Sequence, residues 1–352
     1  MTVDVTTAVL EAVGAHGPAS RRPLAGGTYN TVTRVTFDDG RDWVVKIPPA
    51  HATGLSYEQR LLVNEVTFYE AAAGGPIPQV VHSELDPRAP AGAYLVMTAR
   101  PGLPWSAVAD GLTDDENRAL RAEFGAAVGR LHGVVGPGGY GYPAEPLGPL
   151  APTWREAFTA MTDAVLEDAE RFAARLPRPV GRIHEVLAGA SDVLDEVTRP
   201  VLVHFDLWQG NLLVTGEAGA RRIGGIVDGE RMFWGDPVAD LVSTSLFGDP
   251  ETDVDFLAGY AAATGSPLVF TPSVRRRLAL SRSYLYLIML TETVPRGAEP
   301  DAVEATWNAV APRLVEALDE LGQPFGRGPS SRGLSGRGLS ARELRRGAAS
   351  DG

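Results

Sequence analysis

Cysteine is absent from the 352 residues, which excludes disulfides, cysteine-ligated zinc and thiol catalysis together. Histidine is scarce, and the six present are too scattered to set up a histidine-rich metal site. No apolar run reaches the roughly 18 residues that a membrane-spanning helix needs. The opening stretch, MTVDVTTAVLEAVGAHG, has no basic residues ahead of its apolar part and no convincing cleavage site, so a cytoplasmic location is expected. What remains is ordinary for a soluble globular protein, with 44% hydrophobic and 22% charged residues, and the chain is long enough to form two closely packed lobes.

Against that background one stretch concentrates polar groups between apolar runs. Val201, Leu202 and Val203 lead into His204-Phe205-Asp206, and Leu212, Leu213 and Val214 resume the apolar pattern after Asn211. This reads as strand, polar loop, strand, with Asp206 and Asn211 on one tight connection. A second apolar run, Ile223 to Val227, delivers Asp228, with Glu230 two residues on. Phosphoryl transfer uses such a set: one carboxylate orients the attacking hydroxyl, while an amide oxygen and a second carboxylate hold Mg²⁺ against the phosphates. An isolated HxD triplet is more often a turn or a cap, whereas HxDxxxxN followed by a strand-borne Asp is far more specific.

On these residues the chain resembles the aminoglycoside phosphotransferase family, small-molecule kinases of the protein-kinase-like fold, over roughly residues 20 to 320. The resemblance implies an α+β bilobal fold: residues 1–98 as an N-terminal nucleotide-binding lobe built on an antiparallel sheet and one main helix, and residues 99–324 as a mostly helical lobe for catalysis and acceptor binding. It implies Asp206 as the base, with Asn211 and Asp228 as magnesium ligands. The chain departs from the family at Trp208, where His is frequent, and at Gly229, where an aromatic is usual; neither change removes a catalytic oxygen. Gly235-Asp236-Pro237 and Asp240 match the family's GDPxxDL segment and read as turn and cap carboxylates that brace the catalytic loop. His132 resembles a further family feature and reads as structural.

Such a fold requires a Gly-rich turn, a strand lysine and a helix glutamate upstream, and all three occur in that order. Gly26, Gly27, Thr28 and Asn30 precede an alternating strand, Asp38-Asp39-Gly40 supplies a hairpin turn, and Trp43 to Val45 lead to Lys46. Glycines there let backbone N–H groups approach phosphates, and the lysine pairs with them as a point charge. Glu65, in a helical pattern from Tyr57 to Ala73, is the candidate to hold Lys46, ahead of Glu58 and Glu70 on the same pattern. Tyr94 to Ala99 becomes the inter-lobe hinge, where the backbone of Thr98 and Ala99 would meet adenine or guanine. ATP or GTP and Mg²⁺ are therefore the implied cofactors.

On the acceptor side, Thr113-Asp114-Asp115-Glu116 opens a long helical pattern from Leu112 to Val134. The family binds acceptors between helices of this lobe and the loop after the metal-binding Asp. Glu230, Arg231, Trp234, Asp249, Glu251 and Asp253 are the candidate contacts, the acidic ones serving equally well as helix N-terminal residues. Trp154 and Trp208 read as sugar-stacking rings or as core and rim aromatics. From Phe325 the chain carries six Arg against Glu343 and Asp351, a net +4, which leaves −16 on residues 1–324 out of the −12 total. So acidic a body disfavours nucleic acid, favours a cationic acceptor, and also serves solubility. Residues 325–352, with their repeated Arg-Gly-Leu-Ser, have no core-forming pattern and are expected to be disordered.

The expected activity is transfer of a γ-phosphoryl group to a hydroxyl of a small molecule, with an antibiotic such as an aminoglycoside as the leading acceptor. Metabolic kinases acting on homoserine, choline, fructosamine or sugars share the same set of residues. A non-catalytic nucleotide-binding regulator is the rival of another class, and retention of Lys46, Asp206, Asn211 and Asp228 argues against it. Oligomeric state has no signature in the sequence.

Overall fold

The computed structural model describes residues 5–17, 19–24, 30–49 and 54–323. Gly26, Gly27 and Thr28 of the expected phosphate-binding turn, and the 325–352 tail, lie outside them. The chain begins with α1 (Val5–Ala12), β1 (Ala19–Pro23), β2 (Thr31–Phe37) and β3 (Asp42–Ile47), passes through α2 (Leu61–Ala71), and returns as β4 (Val80–Glu84) and β5 (Tyr94–Thr98). The five strands form one antiparallel sheet in the order β1-β2-β3-β5-β4. The alternation legible in β2 decides its faces: Val35 and Phe37 join Val45, Tyr94 and Val96 in a small core closed by Val9 and Leu10 of α1. One residue along the central strand the side chains turn over, so Val44 packs with Leu95 and Met97 in the main core. Lys46, two residues on, shares that inner face.

The rest of the chain is β6 (Leu103–Pro104), α3 (Trp105–Val108), α4 (Asp114–Leu131), α5 (Trp154–Arg171), α6 (Val180–Gly189), β7 (Val201–Val203), β8 (Leu212–Thr215), β9 (Arg222–Ile226), β10 (Phe233–Gly235), α7 (Leu241–Thr244), α8 (Val254–Thr264), α9 (Pro272–Thr291) and α10 (Pro300–Leu321). α4 starts where its sequence says it should. Thr113 Oγ1 accepts from Glu116 N at 3.2 Å while Glu116 Oε2 accepts from Thr113 N at 3.0 Å, a reciprocal cap on two otherwise orphan donors. The helix expected from Tyr57 is shorter than its periodicity suggests. Residues Ser56–Glu58 form a separate 3₁₀ turn, Arg60 adopts a left-handed φ of 59°, and α2 proper begins at Leu61. The turn follows contacts that a continuous helix would break: Ser56 N and Oγ both donate to Asp168 of α5, at 2.6 and 2.7 Å. Among the described residues no helix is long and apolar enough to cross a membrane.

α4 and α8 cross at contact distance because two glycines face each other's backbone. A Cβ on Gly125 would lie 1.9 Å from Phe256 O, and one on Gly259 would lie 1.8 Å from Ala122 O. α4 also carries His132 at its C-terminal cap. Gly259→Ala is expected to cost at least about 1–3 kcal/mol, the usual range for overpacking, and thermal denaturation followed by circular dichroism should show a midpoint several degrees lower.

Candidate active site

β7 ends at Val203, and the next residues are clamped by one buried carboxylate. Asp240 Oδ2 accepts from His204 N at 3.2 Å and Oδ1 from Phe205 N at 2.6 Å, while Leu207 N donates to Ser243 Oγ at 2.9 Å. These bonds hold Phe205 at a φ of 64°, a left-handed conformation unusual for an aromatic residue. Asp240 is in turn held by His132 Nε2 at 3.0 Å, whose Nδ1 meets the Tyr260 hydroxyl at 2.9 Å. Asp236 accepts from Val238 N at 3.0 Å and pairs with Arg277 at 2.8 Å. On this frame Asn211 Nδ2 donates to Asp206 O at 2.9 Å and to Asp206 Oδ2 at 3.1 Å. That orients the Asp206 carboxylate and commits the amide nitrogen inward, so the Asn211 oxygen is the atom offered to a cation. Val227 N donates to Asn211 O at 3.0 Å, and His204 Nε2 lies 3.1 Å from Val227 O, which ties the end of β9 to the same loop.

Lys46 meets this assembly from the sheet. Its Nζ lies 2.7 Å from Glu65 Oε2, 2.6 Å from Asp228 Oδ1 and 2.8 Å from Glu230 Oε2. Burial pulls the Lys46 ammonium toward its neutral form, but the three carboxylates outweigh burial and hold its pKa well above the ordinary value. The carboxylates respond unequally. Burial dominates at Glu65 and raises it; burial, with the Asp228 and Glu65 charges, pushes Glu230 up to about 7 despite Lys46. At Asp228 burial is opposed by the charge and hydrogen bond of Lys46, and the pKa falls below the usual carboxylate value. Glu230, expected on the acceptor side, thus sits at the lysine, where Asn30 Nδ2 also donates to its Oε2 at 2.8 Å. Ligand oxygens of Glu65, Asp228 and Glu230 all lie within 4.8 Å of one another. Hard oxygens grouped in this way could hold Mg²⁺, and Asp228 keeps 39% of its side chain exposed.

The missing aromatic at Gly229 has a structural counterpart. A Cβ on Gly229 would lie 2.4 Å from Phe68 Cδ1, so the absence of a side chain there admits the fully buried Phe68 ring from α2. Phe68 packs edge-on to His204 at 4.8 Å, placing an aromatic beside the catalytic loop from a different element. Trp208, the other departure, folds over Gly210, whose Cβ would meet its indole at 2.1 Å.

The remaining candidates fall into two groups. Thr98 ends β5 and Ala99 follows it; their N–H groups donate to Gln79 O and Asp42 O at 2.9 and 2.8 Å, so these donors are engaged within the sheet. Arg231 is buried beside the site. Burial disfavours its charge, yet the oxygens of Tyr57, Glu292 and Asp206 around it hold its pKa well above the ordinary value. Trp234, in contrast, is 4% exposed and packs against Gly136 as a core residue. Asp249 and Asp253 cap short helical segments through Glu251 N and Phe256 N; Asp253 also pairs with Arg121, and Glu251 with Arg275 at 2.7 Å. These three carboxylates are engaged in holding the fold together. Trp154 is likewise core, 1% exposed and stacked on Phe233 at 5.4 Å.

Composition held one signal that motif order did not use. Lys46 is the only lysine in a sequence whose other 31 strong cations are arginine, and the structure puts it among three clustered carboxylates, Glu65, Asp228 and Glu230. Phe68 and Tyr69 belong to the helical pattern that carries Glu65, with Tyr69 four residues on along the same helix face.

An antiparallel sheet over a helical lobe, with a lysine–carboxylate centre beside an HxDxxxxN loop, has the architecture of the protein-kinase-like class of phosphotransferases. The chain belongs to the phosphotransferase enzyme family APH, whose model matches residues 20–279. No curated protein matches it. Among solved structures it is similar to a putative fructosamine-3-kinase from Thermobifida fusca, at 22% identity and a TM-score of 0.63, over 90% of this chain and 98% of the other. It is similar to a thermostable mutant of aminoglycoside phosphotransferase APH(4)-Ia in ternary complex with AMP-PNP and hygromycin B, at 15% identity and a TM-score of 0.63, over 92% and 100%. A gentamicin complex of APH(2")-IIa matches at 15% identity and a TM-score of 0.57, over 92% and 97%. At these identities the likeness is one of fold.

The segment before α2 links the sheet to the helical lobe through a chain of charges. Glu58, itself buried, pairs with Arg296 at 2.6 Å; Arg296 reaches Glu292 at 3.0 Å, and Glu292 pairs with Arg231 at 2.8 Å. Glu58 therefore serves this link, and Lys46 is held by Glu65. Arg296→Met would leave the Glu58 carboxylate buried without its cation. With Arg296 partly exposed, a loss toward the lower end of about 3–5 kcal/mol is expected in urea denaturation. Adding Glu58→Gln should recover part of that loss, and a double-mutant cycle measures how much.

Proposed function

We propose that this protein transfers the γ-phosphoryl group of ATP or GTP to a hydroxyl of a cationic, polyhydroxylated small molecule, with an aminoglycoside-type antibiotic as the leading acceptor. The observation that carries the reading is the convergence of Lys46, Glu65 and Asp228 within 2.7 Å contacts, beside a loop in which Asn211 orients Asp206. In this reading Asp206 takes the acceptor hydroxyl into line with the phosphoryl group and receives its proton as the new O–P bond forms and the bond from the γ-phosphorus to the β–γ bridging oxygen breaks, releasing nucleoside diphosphate. Lys46 sets its fixed positive charge against the phosphates, and Glu65 keeps that charge in place. Asn211 and Asp228, with Glu230 beside them, would hold Mg²⁺, which when bound offsets negative charge on the phosphates. Asp240 and Ser243 keep the loop from relaxing while these charges shift.

The acceptor class rests on charge and on shared chemistry. Residues 1–324 carry −16, which attracts a cation. Aminoglycosides and fructosamines, the compounds for which the similar proteins are named, are both hydroxyl-rich amines. The test is nucleoside diphosphate release with Mg²⁺-ATP and Mg²⁺-GTP against a panel of aminoglycosides, other hydroxylated antibiotics, and fructosamine, homoserine, choline and sugar acceptors. Stimulation confined to the metabolites would move the protein to metabolism, and no stimulation with retained nucleotide binding would favour a regulator. In the same assay Asp206→Asn should lower stimulated release by about 10²–10⁴ with nucleotide affinity nearly unchanged, whereas Asp228→Ala should weaken both. Retained turnover in Asp206→Asn would remove Asp206 from the role of base.

A further inference from the structure

Asp228 is held by a residue outside its own loop. Its backbone sits at φ 65°, ψ 49°, in the left-handed region, which Asp adopts more readily than most residues with a side chain but which a fixed contact still stabilises against the alternatives. The Asp228 N–H donates to the Tyr69 hydroxyl at 3.1 Å, and that hydroxyl donates to Glu65 Oε1 at 2.7 Å. Glu65 Oε2 pairs with Lys46, and Lys46 returns to Asp228 Oδ1 at 2.6 Å. Four residues thus close a circuit that grips Asp228 at two points, by its amide and by its carboxylate. Tyr69 itself is buried, 2% exposed.

The two grips differ in what a bound Mg²⁺-nucleotide asks of them. The carboxylate grip uses the oxygen and the ammonium that metal and phosphates would compete for. The amide grip uses neither. We propose that Tyr69 is a positioning residue for the metal site: its hydroxyl keeps the Asp228 backbone in the metal-presenting conformation after Lys46 has been drawn to the phosphates. The inference rests on the reading of Asp228 as a metal ligand. It also gives Gly229 a consequence, because a residue with no side chain offers the loop no anchor of its own, and α2 supplies both Phe68 and Tyr69 in its place.

Tyr69→Phe keeps the ring and removes the one oxygen. The experiment compares the affinity of the full chain for a non-hydrolysable ATP analogue at saturating Mg²⁺ and in EDTA, by calorimetry, in the parent and the variant. The Mg²⁺-free affinity is expected to stay within about twofold, and the factor by which Mg²⁺ improves it to fall about five- to tenfold, the effect of one lost hydrogen bond. A hydroxyl with a merely structural role would lower the unfolding temperature when lost and leave that factor alone, so an unchanged factor in Tyr69→Phe overturns the proposal. If Tyr69→Phe does not fold, the same ratio read on Tyr69→His, whose ring places no atom where the phenol oxygen lies, decides by the same criterion. A parent protein whose nucleotide affinity ignores Mg²⁺ would overturn the metal reading of Asp228 and this inference with it, a failure seen in the parent rather than in the variant.

Discussion

The structure depends on keeping one ammonium group charged where little water reaches it. Lys46 is 4% exposed, a setting that on its own would favour the neutral amine. Three carboxylates reverse that preference, and in doing so they leave the centre with more negative charge than one lysine can balance. The surplus is visible in Glu230, whose pKa stands near 7 because it is buried with two other acids close by. A centre in this condition is short of positive charge, which matches the demand of a divalent cation arriving with a polyphosphate.

The geometry that makes this possible is a helix tied to both lobes. α2 presents Glu65 and Tyr69 to the sheet lysine and to Asp228, yet it is also tied downward: Asn64 Nδ2 donates to Glu230 O at 3.1 Å, and its Oδ1 accepts from Ala144 N at 2.9 Å. The turn before it is held by Asp168 and Arg296, and Tyr57 stacks on Tyr142 at 5.4 Å. A glutamate carried on such a helix is presented to the lysine by the helical lobe as much as by the sheet. Switching it away would require breaking buried polar contacts whose removal leaves unpaired groups behind.

What could be read in the sequence followed distance along the chain. His204, Asp206 and Asn211 stand within eight residues, so their chemistry is legible from spacing alone, and the Thr113–Glu116 cap is legible for the same reason. Lys46 and Glu65 needed the order of a known family to be connected. The Tyr69–Asp228 bond was out of reach, since it joins residues 159 apart through a backbone N–H that carries no residue signature. Glu230 looked acceptor-facing because it follows the metal-binding Asp, and the 3₁₀ turn at Gly229–Arg231 swings it back to the lysine. Trp234 looked acceptor-facing because it too follows the metal-binding Asp, but three-residue β10 pairs with β7 and turns it into the core. Asp249, Glu251 and Asp253 illustrate the opposite limit, an acidic stretch whose local capping chemistry accounts for its composition.

The lysine has a practical meaning beyond its role in the cleft. Every other strong cation in the chain is an arginine, whose guanidinium does not react with amine-directed acylating reagents under ordinary conditions. The molecule therefore carries a single ε-amine, buried, protonated and enclosed by carboxylates at the candidate centre. Acylation of that amine would report directly on how often the centre opens, with no background from surface lysines. The surface, conversely, cannot have its charge altered by lysine acetylation, so the positive potential of this protein is fixed in a way that most lysine-rich enzymes do not share.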